Sequence, residues 1–332
     1  MVNVRFWPRV GLRAGIAVIV VVVVMSMPSW VSNTYLLHLL AVSAVLSIAS
    51  MSLNLLVGTS GQISLAHAAF VGLGGYTTAI LTTRHGWGFW PTVLLSLVVG
   101  AVTGVVLGAP ALRLRGHYLG MVTLGAGQIF AIVATTAVGV TGGANGISGI
   151  PAPNLWNGPI FEDGQLLQLF VVIAGLVYLL LTALSESQLG RVMSAIRQDE
   201  VAAASLGLAA PRYKLLAFVL SSAIAAVSGS LLVGLLGVAS PTSFSISESI
   251  LLLVMVVVGG LRSIGGAAAG AVVVTLLPEY LRVLDTWYQV AFGIAIVLLM
   301  MFAPGGIASL LGKSAPGPGR LLNSFHLSRQ NS

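Results

Sequence analysis

Long apolar runs determine what this chain can fold into. Runs of about twenty apolar residues follow one another along most of the sequence, with only short breaks between them. A helix of about twenty residues is the length needed to cross the roughly 30 Å hydrocarbon core of a bilayer. Only 7% of the 332 residues are charged, whereas a soluble domain carries roughly 25%. These features exclude a soluble fold.

The apolar runs predict an all-α integral membrane protein with about ten transmembrane helices. A helix is expected for each run because a backbone surrounded by lipid has to satisfy its own hydrogen bonds. The predicted spans are 10–27, 34–57, 62–83, 89–112, 117–140, 166–185, 213–239, 247–261, 264–281 and 286–303.

The lysines and arginines orient these spans. If the N-terminus is cytoplasmic, all fifteen of them except Arg84 and Arg282 lie on the cytoplasmic side, where such residues accumulate in membrane proteins. The connection 141–165 contains Glu162 and Asp163 but no cation, and we expect it to be external. Both termini are therefore predicted to be cytoplasmic. The net charge of +7 is explained by topology, and we expect no nucleic-acid partner.

Small residues recur on one face of several predicted spans. Such stripes let helices approach closely, and dispersion between them replaces the hydrophobic driving force that is missing in lipid. We expect most of these faces to pack within the chain. The two longest stripes are Gly100, Gly104 and Gly108 in the fourth span and Ser222, Ala226, Ser230 and Gly234 in the seventh.

A polar, basic interval stands out between the sixth and seventh spans. Its charged residues are Arg191, Arg197, Asp199, Glu200, Arg212 and Lys214. We expect the surrounding loop, residues 186–213, to present a helix to a partner in the cytoplasm. Residues 1–303 then form one membrane domain that includes this loop. Residues 304–332 are rich in Pro, Gly and Ser and are predicted to form a flexible cytoplasmic tail.

A helix is predicted over residues 189–206, with Gly207 as its stop. On an ideal helical projection the apolar side chains share one side. They are Leu189, Val192, Met193, Ile196 and Ala203. Such a helix can lie on the lipid surface or insert into a groove of a soluble partner. Glu200 falls within the apolar side, and this favours a protein groove.

A second polar break, Gly58–Ser64, lies between the second and third spans. Its backbone could line a cavity at depth and approach a passing zwitterion, or it could form a tight turn at the cytoplasmic surface. His38 and His67 lie within spans, where an ionisable side chain has a functional role or bonds a neighbouring helix. The predicted substrate-path residues are Gly58, Gly61, Gln62, Ser64 and His67.

Other chemistry is not indicated. The sequence contains no complete phosphate-binding loop, no group with metal-ligand spacing and no nucleophile with a paired base. All eight Asp and Glu residues map to span ends or loops, whereas proton- or sodium-coupled carriers keep acidic residues inside the membrane. We expect neither an enzyme nor a cofactor in this chain. A secondary carrier or channel is a distant alternative.

Five blocks of the sequence, in order, resemble one family. The most characteristic is GRVMSAIRQDEVAAASLGLAAPRYKLLAFVLSSAIAAVSGSL, and the others are LNLLVGTSGQISLAHAAFVGLGGY, LRLRGHYLGMVTL, TGGANGISGIP and SPTSFSISESILLLVMVVVGGLRSIGGAAAGA. Together they resemble the LivM-type permeases, the membrane subunits of branched-chain amino acid ABC importers. The chain departs from the family pattern at His117 and Ala204, where acidic residues are common.

The resemblance implies a heteromeric importer in the bacterial inner membrane that moves branched-chain or related small amino acids inward. It implies a homologous second permease, two cytoplasmic ATPases that bind ATP and Mg, and an external substrate-binding protein. Related permeases carry urea, short amides or other small organic acids. The implied ATPase-coupling residues are Arg191, Ala195, Ile196, Arg197, Asp199, Glu200, Ala203 and Gly207. Among these, Arg197 and Glu200 are expected to engage a groove of the ATPase.

The predicted topology can be tested with reporter fusions at residues 150, 200 and 325. The distribution of cations predicts an external reporter at residue 150 and cytoplasmic reporters at residues 200 and 325. A phosphatase reporter and a fluorescent-protein reporter are fused at each site. One is active outside the cell and the other inside, so each site is assigned by two opposite signals. A cytoplasmic signal at residue 150 would overturn the span count.

Overall fold

The computed structural model describes residues 15, 21–26, 28, 33–111, 117–155, 158–159, 162–302 and 305–310. Most of the predicted first span, 10–27, lies outside the described residues, although residues 21–26 are helical. The predicted tail, 304–332, also lies outside them except for residues 305–310.

Helices form nearly all of the regular structure. The helices of the membrane part are α1 (Thr34–Asn54), α2 (His67–His85), α3 (Phe89–Ala111), α4 (His117–Thr136), α5 (Val138–Thr141) and α6 (Asp163–Glu186). The polar interval contains α7 (Gln188–Gln198) and α8 (Glu200–Ser205). The remaining helices are α9 (Ala210–Leu236), α10 (Ile246–Gly259), α11 (Ile264–Leu281), α12 (Tyr288–Phe302) and α13 (Ile307–Leu310).

Two short antiparallel strand pairs lie in the connections between helices. Strand β1 (Ile147–Ser148) pairs with β4 (Val238–Ala239), with Ile147 opposite Ala239. Strand β2 (Asn154–Leu155) pairs with β3 (Gly158–Pro159), with Asn154 opposite Pro159. The first pair ties the connection after α5 to the end of α9.

Six helices in the described part are long and apolar enough to cross a membrane. They are α1 with its extension to Thr59, α3, α4, α6, α9 and α11. Helices α10 and α12 are apolar but shorter. The prediction of an all-α membrane fold is confirmed to this extent. The total of about ten spans and the side of each terminus stay predictions.

The predicted span boundaries are correct for some helices and wrong for others. The span predicted at 264–281 coincides with α11. The third span was predicted to begin at residue 62, but residues 60–66 are not helical and α2 begins at His67. The fifth was predicted to continue to residue 140, but α4 ends at Thr136. A short 3₁₀ segment, Arg282–Trp287, precedes α12, and Asp285 there has a positive φ of 46°.

Helix α9 lies at the centre of the bundle and packs against α1, α2 and α3. The two predicted small-residue stripes face each other in the α3–α9 contact. A Cβ on Gly100 would lie 2.6 Å from the Cβ of Ala226, and one on Gly104 would collide with the hydroxyl of Ser222. The expectation that these faces pack within the chain is therefore correct for this pair.

Serine hydroxyls of α9 add hydrogen bonds to the neighbouring helices. Ser221 donates to the carbonyl of Ser52 at 2.6 Å, and Ser228 donates to the carbonyl of Val45 at 2.9 Å. Ser230 donates to the carbonyl of Gly74 at 3.1 Å. These bonds fix α9 against α1 and α2, because small polar residues bond across helices when the backbones are close.

Candidate functional site

The polar segment, residues 186–213, folds as two helices and not as one. Asp199 separates α7 from α8 with an extended backbone, φ −152° and ψ 108°. Its carboxylate accepts hydrogen bonds from the backbone N–H groups of Val201 and Ala202, each at 2.9 Å, and so caps α8. The predicted continuous helix over 189–206 is therefore wrong at Asp199. Aspartate is a preferred N-cap residue, and its presence in the middle of the predicted helix indicates this interruption.

Three residues of the predicted apolar side of the polar segment are buried within the chain. Met193, Ile196 and Ala203 are each at most 3% exposed. Ile196 and Ala203 form a small cluster with Ala210 of α9, and this cluster also includes Val192, Leu208 and Tyr213. These three side chains therefore pack inside the chain, whereas Leu189 of the same predicted side is 39% exposed. The side chains of Val201 and Leu206 are exposed instead, at 77% and 81%.

Glu200 has a partner within the chain. Its carboxylate lies 2.7 Å from the ammonium group of Lys214 near the start of α9. This ion pair accounts for a carboxylate on the apolar side of the predicted helix, because that side faces α9. A groove on another protein is not needed to explain it. The pair also ties α8 to the first turns of α9.

Arg197 also points into the chain. Its guanidinium group donates a hydrogen bond to the carbonyl of Gly58, and its aliphatic stem lies over Gly61. Burial lowers the pKa of Arg197, and the positive charge of Arg262 lowers it further. Arg197 therefore connects the polar segment with the Gly58–Ser64 break.

The other predicted coupling residues lie at the surface. Arg191, Ala195, Asp199 and Gly207 are exposed, and Gly207 ends α8 with a φ of 81°. A shallow cleft of about 470 Å³ lies at the bend between the two helices. It is lined by Ser185, Arg191, Ser194, Ala195, Gln198, Asp199, Ala202, Ala203, Leu206 and Leu208. A partner can reach this cleft and the exposed apolar side chains beside it.

The Gly58–Ser64 break lies against the polar segment, with its polar side chains buried. A π-helical turn, Leu55–Thr59, ends α1, and residues 60–66 then cross to α2 without helical structure. Ser60, Gln62 and Ser64 are each at most 3% exposed, whereas Gly61 is exposed and Ile63 is 47% exposed, so the polar side chains of the break face inward and part of its backbone faces outward. The side-chain amide of Gln62 donates to the hydroxyl of Ser60 at 2.7 Å and to the carbonyl of Lys214 at 3.0 Å.

His67 is fully buried at the start of α2. Its Nε2 atom lies 2.8 Å from the hydroxyl of Ser52 on α1, as expected for a histidine that bonds a neighbouring helix. Three polar atoms in or next to the break are buried without a hydrogen-bond partner, namely Gln62 Oε1, Ser64 Oγ and His67 Nδ1. His38 lies elsewhere, 3.1 Å from the carboxylate of Asp163. The structure thus brings the five predicted path residues together and leaves His38 apart.

The comparison with known proteins identifies the family. Residues 35–303 match the family described as the permease component of the branched-chain amino acid transport system. The chain belongs to this family. It is a family of transport permeases and not of enzymes, so the polar segment and the break are parts of a transport protein.

Individual relatives agree with this assignment. The high-affinity branched-chain amino acid transport system permease protein LivM of Salmonella typhimurium is 36% identical over 283 residues, covering 78% of this chain and 67% of the relative. LivM of Escherichia coli is similar to the same extent. The fructose import permease protein FrcC of Rhizobium meliloti is 29% identical over 271 residues, covering 77% and 73%. No solved structure matches the chain.

The Glu200–Lys214 pair predicts a result for charge reversal. The Glu200→Lys variant places two cations together and should loosen α8, so amide exchange of residues 200–205 should become severalfold faster. Exposed ion pairs contribute roughly 0.2–1 kcal/mol to stability, and a loss of this size corresponds to a severalfold change in the exchange rate. The double variant Glu200→Lys/Lys214→Glu should restore slow exchange. Hydrogen-exchange mass spectrometry measures both, and equally fast exchange in the single and double variants would exclude the pair as the tie between α8 and α9.

Proposed function

We propose that this permease is a transmembrane subunit of an ABC importer that moves branched-chain amino acids into the cell. The observation that carries the proposal is the 36% identity to two LivM permeases over most of this chain. The family match from residue 35 to residue 303 supports it, because it covers every long apolar helix of the described part. We place the protein in the bacterial inner membrane, with about ten spans and cytoplasmic termini.

The proposed assembly contains a homologous second permease, two cytoplasmic ATPases and an external substrate-binding protein. The relatives are named as components of a transport system, which supports a multi-subunit arrangement. Phosphoryl transfer needs residues that hold phosphates and Mg, and we assign these to the ATPase subunits. This permease then receives conformational work through a contact surface.

We assign that contact surface to the exposed part of the polar segment. Val201 and Leu206 are large apolar side chains that are mostly exposed, and Leu206 lies in the wall of the cleft. Exposed Arg191 and Asp199 surround them with polar groups, as at the rim of a protein interface. The buried Ile196 and Ala203 support the surface from within.

We place the substrate path at the Gly58–Ser64 break and His67. A branched-chain amino acid is a zwitterion without net charge near neutral pH, so dipoles of amides and hydroxyls can replace its hydration. Gln62, Ser64 and His67 supply such dipoles, and each has a buried atom without a partner. A buried polar group in this condition is unfavourable until it finds a partner.

Sugar transport is the second candidate function. Two relatives are named as fructose import permeases, FrcC at 29% identity and FruF of Bifidobacterium longum at 25%. Both are less similar to this chain than the LivM proteins at 36%. Nothing favours the urea, amide or organic-acid alternatives.

Uptake of labelled leucine tests the proposed function. The permease is expressed with its partner subunits in cells that lack leucine transport. We expect ATP-dependent accumulation of leucine that excess isoleucine or valine reduces at least tenfold and excess fructose leaves unchanged. Cells without the permease provide the baseline. Accumulation of fructose without leucine would assign the permease to the second candidate.

A Leu206→Asp variant tests the docking surface. Burial of an unpaired carboxylate at an interface is costly, so co-purification of the ATPase with the permease should fall at least tenfold. Val138→Asp is the matched control, because Val138 is 66% exposed on the short helix α5, far from the polar segment in the chain. An unchanged yield of ATPase with Leu206→Asp would remove this surface from the interface.

A further inference from the structure

The carbonyl of Gly58 lies where α1 stops being helical. The last carbonyl groups of a helix lack partners within the helix and need them elsewhere. At Gly58 the partner is the guanidinium group of Arg197 from α7. Glycine is required there, because a Cβ would collide with the carbonyl of Leu261 and lie 2.8 Å from the Asn54 side chain. The π-turn therefore ends against two neighbours that leave no free volume.

Arg197 also restrains the next part of the break. Gly61 has a φ of 74°, which a side chain rarely permits. A Cβ on Gly61 would lie 2.7 Å from Cγ of Arg197. The stem of Arg197 thus lies against Gly61 while its guanidinium group holds the carbonyl of Gly58, so two positions of the break contact the same side chain.

A second connection runs through α9. Gln62 of the break donates to the carbonyl of Lys214, and the ammonium group of Lys214 pairs with Glu200 of α8. The break is therefore bonded to α7 through Arg197 and to α8 through Lys214. A displacement of the polar segment has to break these bonds or move the break with it.

The closed break contains groups that would gain from opening. Gln62 Oε1, Ser64 Oγ and His67 Nδ1 are buried without partners. Water or a polar solute could satisfy Gln62 and Ser64 if residues 60–66 moved away from α7. The arrangement has the features of a two-state element, in which one set of contacts holds a conformation that other groups disfavour.

We propose that Arg197 is a latch that holds residues 60–66 closed and releases them when the polar segment moves. Arg197 is a positioning residue that acts through the backbone of Gly58 and Gly61. The inference rests on the proposed function, since it connects the ATPase contact to the substrate path. It assigns to Arg197 a role inside the permease, in place of a direct contact with the ATPase.

Cysteine labelling tests the latch, because the chain has no cysteine of its own. A Ser64→Cys variant is treated with N-ethylmaleimide in membranes, and modification of the permease is read by mass. Ser64 is fully buried, so labelling should be slow with Arg197 in place. Arg197→Gln should speed labelling at least tenfold, which corresponds to about 1.4 kcal/mol. Arg197→Lys keeps a cationic donor and should restore slow labelling.

Arg282→Gln is the matched control, because Arg282 is an exposed arginine that pairs with Glu279 three residues earlier. It should leave the labelling rate unchanged. Ser60→Cys, also buried, carries the same test if Ser64→Cys fails to insert. If Ser64→Cys is labelled at the same rate with Arg197 and with Gln at position 197, the proposed latch is wrong. Labelling needs neither leucine nor ATP, so its result is independent of the uptake experiment.

The coupling half of the inference has its own measurement. In the assembled importer with Arg197 in place, trapping the ATPases with ATP and vanadate should speed labelling of Ser64→Cys at least tenfold. The same treatment should add little in Arg197→Gln, because the latch is already released. If ATP and vanadate leave the labelling rate of Ser64→Cys unchanged, the ATPases do not release the latch. This conclusion would hold even where leucine uptake is normal.

Discussion

The close approach of α9 to its neighbours is the contact on which the rest of the structure depends. A Cβ on Gly229 would collide with the carbonyl of Val71, and one on Gly74 would collide with the carbonyl of Ala226. Helices in lipid gain little from hydrophobic burial, so dispersion and hydrogen bonds at this distance hold the bundle. These contacts fix the position of α9. The first turns of α9 therefore provide a rigid surface on which α7, α8 and the break can pack.

The polar segment is built on that base. Ala210 and Tyr213 of α9 bury the apolar side of α7 and α8, and Lys214 pairs with Glu200. The same turns hold the break through Gln62. One fixed helix end therefore supports both the exposed surface that we assign to a partner and the buried segment that we assign to the path. Their shared support is a direct physical route between the two.

The sequence predicted the helices better than the site. Apolar length identified α11 to the residue, because the hydrocarbon thickness sets the length of a span. The helical projection failed at Asp199 because it assumes a continuous helix. It cannot show that Asp199 ends one helix and caps the next. It also assigned the apolar side to a partner, because a projection shows which residues share a side but not what covers them. Arg197 and Gly58 are 139 positions apart, and no local pattern indicates their contact.

The contacts of Gly61 change how a variant at this position can be understood. One of the two interpretations of the sequence brings its backbone close to a passing zwitterion, and under that interpretation a larger residue would block the path. In the structure the positive φ and the stem of Arg197 already exclude a side chain there. Loss of transport on enlarging Gly61 would follow with or without a substrate contact. The hydroxyl of Ser64 is more informative, because it has no partner in the closed break and its removal disturbs no bond. In a Ser64→Ala variant that folds normally, a loss of transport would therefore indicate a bond that this hydroxyl makes in another conformation or with the solute.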